Sequence, residues 1–412
     1  DFAAAGDLAN PIIRVTDGLN LLYRVRTVEG IETLTFDTLG GDDTLRVLGQ
    51  NNGAAVNNDQ VIFNAGSGDD TLVLDNSNGL LTQASGINYH GGLGRDQLVL
   101  TGTTAVTSAD YFVGPDNGDG QIVHRLGLAA QTVTFSGLEP AVDLVAATTA
   151  TVHATNAANA INFSESDLDP VAGKISIDGF EPYHFENKEN LVINAGAGSD
   201  EINLNYQNAG QPAPTGLTGT ITVNGGDPTD PDKLIVNSRI SGGFEGLIVT
   251  PTAQGVGTVD STLAGVPTVN YNTIEEIQLV GQLADGDSFG VDGTAGDDVL
   301  RYVSGSAPDT GLVTGTMNGN TFTAPAVGFS GMGQTATVRL NNFGNQGGSD
   351  TVVYHGTEVI DNVVITPGAL INTHGGANFT NLETGTPSSA SAAGTTSTVV
   401  VRTFGGHDTV TV

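Results

Sequence analysis

Cysteine and tryptophan are absent from this 412-residue chain, and lysine occurs only as Lys174, Lys188 and Lys233. Without cysteine there are no disulfides and no thiolate metal sites, so packing, backbone hydrogen bonds and bound ions must stabilise the fold. Positive charge is scarce: 13 Lys plus Arg stand against 45 Asp plus Glu, a formal net charge of -32. Such a surface repels nucleic acid and anionic membranes and attracts divalent cations. No apolar run approaches the roughly 18 residues that span a bilayer, and no basic-then-apolar leader opens the chain, so membrane insertion is not expected.

The usual signatures of catalysis are missing as well. The seven histidines (His90, His124, His153, His184, His355, His374 and His407) stand singly, without the close spacing of a zinc or iron site. There is no Gly-x-Ser-x-Gly elbow and no phosphate loop ending in Gly-Lys-Ser/Thr. The one dense mixed patch is Tyr183, His184, Glu186 and Lys188. Acyl and phosphoryl transfer are therefore not expected.

What the chain has instead is repetition. The pattern apolar-x-x-x-x-Gly-x-Asp-x-apolar-x-apolar occurs at Phe36 to Val47, Phe63 to Leu74, Tyr89 to Leu100, Ile193 to Leu204, Val291 to Tyr302 and Val401 to Val412. Copies at Val223 to Val236 and Leu340 to Tyr354 carry loop insertions, and the copy at Val152 to Phe163 has Ala157 for the Gly and Asn159 for the Asp. The flanking runs are short, alternating and rich in Val, Ile, Leu, Thr and Phe, as in QVIFNAG and NLVINAG, and read as strands. The 58 glycines, with Asn and Asp, fall between those runs, where corners are needed.

Asp43, Asp70 and Asp96 lie 27 and 26 residues apart, about one three-sided coil of a parallel β-solenoid. The expected fold is all-β: an elongated parallel β-solenoid, β-helix or β-roll-like, with irregular insertions, or alternatively tandem small β modules. A second motif ends in Glu: VEGIE to Glu32, FSGLE to Glu139, FENKE to Glu189, YNTIE to Glu275 and FTNLE to Glu383. Five copies at equivalent corners point to a structural role. Together the motifs suggest three super-units, 1–145, 146–285 and 286–412, with a mobile insertion at 388–397. The chain opens on Asp1 and stops at the last position of a copy, so a segment of a longer chain with an uncapped final coil is expected.

The segment Gly91 to Val99, GGLGRDQLV, resembles the nonapeptide of hemolysin-type calcium-binding (RTX) repeats, and GSGDDTLV, GAGSDEIN and GGHDTVTV are similar to it. The resemblance implies a Gly-rich turn whose carboxylates and carbonyls hold calcium, next to a parallel β-roll. Here the nonapeptides are not in tandem. The calcium candidates are Asp42, Asp43, Asp69, Asp70 and Asp96 in the first three coils, Asp227, Asp230 and Asp232 in an acidic insert, and Asp200, Asp297 and Asp298. Calcium takes six to eight oxygens, which acidic turns stacked in register can supply jointly. The competing reading needs no ion: Gly supplies the turn, and Asp caps backbone N–H groups locally as an Asx-turn.

These features suggest a secreted bacterial or cell-surface structural protein that self-associates end to end into a filament or surface layer. A carbohydrate-binding adhesin segment and a β-helix polysaccharide lyase, hydrolase or epimerase are the alternatives. No catalytic residue is assigned.

Overall fold

The computed structural model describes residues 33–48, 60–83, 85–205, 217–227, 229–238, 245–282, 287–305, 310–331, 338–341 and 351–355. It also describes the backbone of strands at 12–16, 21–26, 362–366, 369–374, 377–380, 398–402 and 409–411. Glu32, Glu383, the stretch 388–397 and the final residue Val412 lie outside the described residues. The described chain is all-β, in mixed, largely parallel sheets, with a single 3-10 turn at Asn76–Asn78. Chain packing divides it into two compact units, one of residues 1–155, 161–194 and 214–219, the other of 156–160, 195–213 and 220–412.

In the first unit each Gly-Asp copy carries the chain from one sheet to a facing one. Strands Thr33–Asp37, Gln60–Ser67 and Ile87–Leu93 run parallel in the first sheet. Thr44–Leu48, Thr71–Asp75 and Gln97–Thr101 run parallel in the second. Residues two apart along a strand share a face, so Val61, Phe63 and Ala65 from one side and Leu72 and Leu74 from the other are buried between the sheets. Each fully buried Phe or Leu contributes about 1.5 to 3 kcal/mol. Aromatic rings thread this core, with Phe63 stacked on Tyr89 at 5.1 Å and Tyr111 of the first sheet on Tyr183 of the second at 4.8 Å.

The parallel order is interrupted in a regular way. Val106–Val113, Gly120–Leu126 and Ala129–Ser136 form an antiparallel meander in the first sheet, and Ala160–Glu165, Gly173–Ile177 and Tyr183–Phe185 form one in the second. The second unit repeats both kinds: Gly246–Ala253, Val256–Ser261 and Val269–Asn272, then Val299–Ser304, Gly311–Met317 and Ala326–Ser330. Tight turns close the hairpins, for example Asn318, Gly319 and Asn320, all at positive φ.

This places the Glu motif. FSGLE and YNTIE follow the last strand of a first-sheet meander, and FENKE follows the last strand of a second-sheet meander. The three described copies are thus not one corner, contrary to the expectation. Glu139 and Glu275 occupy the corner that Asp holds elsewhere, whereas Glu189 lies in Lys188–Gly196, where the chain re-enters the first sheet.

Repeats stack so closely at the first-unit corner that Gly68 and Gly94 leave no room for a side chain. Gly94 has φ +137, and a β-carbon there would lie 2.0 Å from the Gly68 carbonyl oxygen; Gly68, at φ +128, stands in the same relation to Gly41 at 2.3 Å. Gly94→Ala is expected to cost about 2 to 5 kcal/mol, from backbone strain plus overpacking, measured by urea unfolding. Gly127→Ala, in a hairpin turn with no atom near its added β-carbon, should cost only the strain, about 1 to 2 kcal/mol.

Candidate functional site

The corner between the sheets is the place where the recurrent Asp residues gather. Two positions carry carboxylates there, and they work in opposite directions. Asp42 Oδ1 accepts the backbone N–H of Asp69 at 2.9 Å, and Asp69 Oδ1 accepts that of Arg95 at 2.9 Å. These residues are at the seventh position of the pattern, and each carboxylate caps the following repeat. At the eighth position Asp70 Oδ1 accepts from Asp43 N–H at 2.7 Å, and Asp96 Oδ1 from Asp70 N–H at 2.9 Å, so each caps the preceding repeat. The carbonyls are used too: Asp43, Asp70 and Asp96 accept from Thr71, Gln97 and Glu139 at 2.7 to 2.8 Å.

The second unit builds the same ladder from other residues. Asn159 N–H donates to Asp200 Oδ1 at 2.7 Å, Asp200 N–H to Asp232 Oδ1 at 2.9 Å, and Asp232 N–H to Glu275 Oε2 at 2.9 Å. Glu275 is the Glu of its motif standing in the Asp position. The copy with Asn159 keeps its place because the ladder there uses its backbone N–H.

The Asx-turn expectation therefore holds for few of the candidates. Asp227 caps Thr229 two residues on, at 2.9 Å to the N–H and 2.8 Å to the hydroxyl, and Asp298 binds Thr294 in its own turn and Asn318 N–H at 2.8 Å. The stacked Asp residues instead reach across 26 to 27 residues. Asp230 is exposed, and the Asp297 carbonyl accepts from Gly319 at 2.6 Å.

The five candidates between residues 42 and 96 share the corner without sharing a centre. Asp42 and Asp69 are exposed, Asp43 is half-buried, and Asp70 and Asp96 are fully buried. Among the described residues no group of three or more His, Asp or Glu is placed to hold a metal ion. The oxygens that do converge are fewer. The buried Oδ2 atoms of Asp96 and Asp232 have no hydrogen-bond partner. A β-carbon on Gly91 would lie 2.6 Å from Asp96 Oδ2 and 2.2 Å from Gly137 O, and one on Gly225 2.2 Å from Asp232 Oδ2 and 2.1 Å from Thr273 O. A carboxylate and a carbonyl thus face one glycine at each corner, which fits calcium to the extent of two donors out of six to eight.

Electrostatics match this burial. Burial raises the pKa of Asp70, Asp96 and Asp232, and neighbouring carboxylates add to it against the opposing backbone N–H bond. An acceptor oxygen is what the ladder requires, so Asp70→Asn should stay within about 1 kcal/mol of the parent, while Asp70→Ala strands the Asp43 N–H and costs about 1 to 3 kcal/mol in denaturant unfolding.

A second polar group lies in the core of the first unit. Asp143, at the end of Ala141–Asp143, receives His124 Nε2 at 2.9 Å, Tyr183 OH at 2.7 Å and Lys188 Nζ at 3.1 Å on Oδ2, and Val145 N–H at 3.0 Å on Oδ1. Lys188 Nζ also donates to the Val145 carbonyl. The side chains of Asp143, His124 and Lys188 have no solvent exposure. Burial alone would raise the Asp143 pKa, but the charges of His124 and Lys188 and the hydrogen bonds from His124 and Tyr183 hold it well below the carboxylate range. Of the mixed patch seen in the sequence, Tyr183 and Lys188 enter this cluster, while His184 Nδ1 pairs with Ser166 Oγ at 2.8 Å. Asp143 and His124 were not legible from the sequence, since they stand 19 residues apart with no motif around them.

Glu181 is the third buried acid, 4% exposed, with Oε1 lacking a partner. Burial, reinforced by Glu139, pushes its pKa up to about 8, while burial lowers that of His184 to about 4. Between pH 4.5 and 8 the unfolded chain has lost the Glu181 proton that the folded chain keeps, so stability falls as pH rises. Between pH 6.5 and 4 the unfolded chain gains the His184 proton that the folded chain refuses, so stability falls as pH drops. Melting temperature should therefore decline from pH 6.5 to 8, and Glu181→Gln should flatten that limb while raising stability at pH 8.

No family model matches this sequence, and no curated protein is significantly similar to it.

Proposed function

We propose that the chain is a structural segment of a secreted or cell-surface protein, a β-solenoid that associates with further copies of itself into a filament or layer. The observation that supports this most is how the recurrent residues are used. In the stacked corners Gly and Asp serve the joint between one repeat and the next, through backbone contact and carboxylate-to-N–H bonds. A repeated unit whose shared residues serve stacking is the expected design of a quasi-one-dimensional scaffold.

The most concentrated ionisable cluster, around Asp143, is sealed from solvent and offers a polysaccharide no access. Calcium enters the proposal as a ligand of the corner, held by Asp96 with the Gly137 carbonyl and by Asp232 with the Thr273 carbonyl. It would neutralise carboxyl oxygens that have no hydrogen-bond partner.

Sedimentation and electron microscopy of the purified chain, with millimolar calcium and with chelator, test both parts. Concentration-dependent rods or sheets are expected, with a melting temperature several degrees higher in calcium, because a ligand that binds only the folded state stabilises it by mass action. A compact monomer in both conditions removes the assembly reading. An unchanged melting temperature removes calcium and leaves the carboxylate ladder as the whole role of the corner.

A further inference from the structure

The core cluster of the first unit has the composition of a condensation site. Lys188 Nζ stands 3.1 Å from Oδ2 of Asp143, and both side chains are completely buried. A buried ion pair of this kind carries a large desolvation cost, which is relieved if the two charges are removed together. We propose that Lys188 and Asp143 join in an intramolecular isopeptide bond, Nζ to Cγ, with release of one water.

The surrounding groups supply each requirement of the step. Passing one ammonium proton to the carboxylate gives a neutral amine beside a neutral acid; burial favours the loss of that proton from Lys188, against the partners that hold Asp143 ionised. Nζ then attacks Cγ. The charge that develops on Oδ1 is met by the Val145 N–H, already 3.0 Å away. Oδ2 is the leaving oxygen, and His124 Nε2 and Tyr183 OH are hydrogen-bonded to it. His124 gives Oδ2 the proton that completes water and recovers the one that Nζ sheds.

Three ammonium hydrogens are thus accounted for, two in the water and one on the amide nitrogen. The surviving N–H keeps the donor role toward the Val145 carbonyl that Lys188 already plays. No oxidant or cofactor is needed. Fixed geometry in a water-excluding core supplies the effective concentration that an intermolecular amide would lack.

The bond would tie Ala141–Asp143 of the second sheet to Lys188–Gly196 of the first, clamping the sheets across the core where the chain has no cysteine to do so. Intact-mass spectrometry of the full folded chain after denaturation should read about 18 Da below the sequence mass, one water lost. Digestion should yield a single branched peptide joining the segments around Asp143 and Lys188.

Lys188→Arg and Asp143→Ala should each restore the sequence mass. In His124→Asn, checked for folding by circular dichroism, the condensed fraction should fall at least tenfold. A parent chain at its full sequence mass overturns the proposal. So does water loss without a branched peptide, as an aspartyl succinimide would give. An undiminished condensed fraction in His124→Asn overturns the proton-relay assignment.

Discussion

The stacked Gly-Asp corners depend on one contact, a backbone N–H of one repeat donating to a side-chain carboxylate of the next. At a corner the chain leaves one sheet for another, and its N–H groups point where no strand is available to accept them. Buried donors left without partners cost about as much as a lost hydrogen bond. Asp is short enough to reach the adjacent repeat and presents an acceptor at neutral pH. Gly removes the one atom that would hold the repeats apart. The two residues of the pattern therefore work as one device, and the copy at Val152 to Phe163 departs from both at once, with Ala157 and Asn159.

The same device explains how so acidic a chain buries acids. With a net charge of -32, each interior carboxyl needs its own settlement. Asp70, Asp96 and Asp232 rest on backbone dipoles, and Asp143 draws on a lysine, a histidine and a tyrosine. Glu181 has only the Ala141 backbone N–H to set against its burial and the Glu139 charge, and keeps its proton to about pH 8. Asp42 and Asp69, one position earlier in the same turns, stay in solvent. Charge and location are thus decided residue by residue, and composition alone says little about which Asp is strained.

Much of this was legible beforehand. The alternation in runs such as QVIFNAG announced strands, and the interval from Asp43 to Asp96 announced the parallel repeats that the strands of the first unit form. The antiparallel meanders went unread, although Met317-Asn318-Gly319-Asn320 carries a recognisable hairpin signal; the parallel expectation overrode it. The Glu motif was seen but assigned to one corner, because a five-residue string does not reveal whether the chain is leaving the first sheet, as at Glu139 and Glu275, or entering it, as at Glu189. The Asp143 cluster was out of reach for a different reason. Its members come from Gly120–Leu126, Ala141–Asp143, Tyr183–Phe185 and Lys188–Gly196, and only the fold brings those strands together.

The meanders also obey a parity rule. A chain that turns back on itself within a sheet arrives at the next corner travelling the wrong way unless it turns back a second time. Each of the four meanders with described side chains accordingly makes three passes, adding two to the single pass of a simple repeat; the short strand Phe322–Thr323 belongs to the third pass of its meander. Insertions into such a chain come in quanta. A hairpin's worth of sequence can be accepted at a strand without altering either neighbouring corner, whereas half a hairpin would reverse every strand downstream.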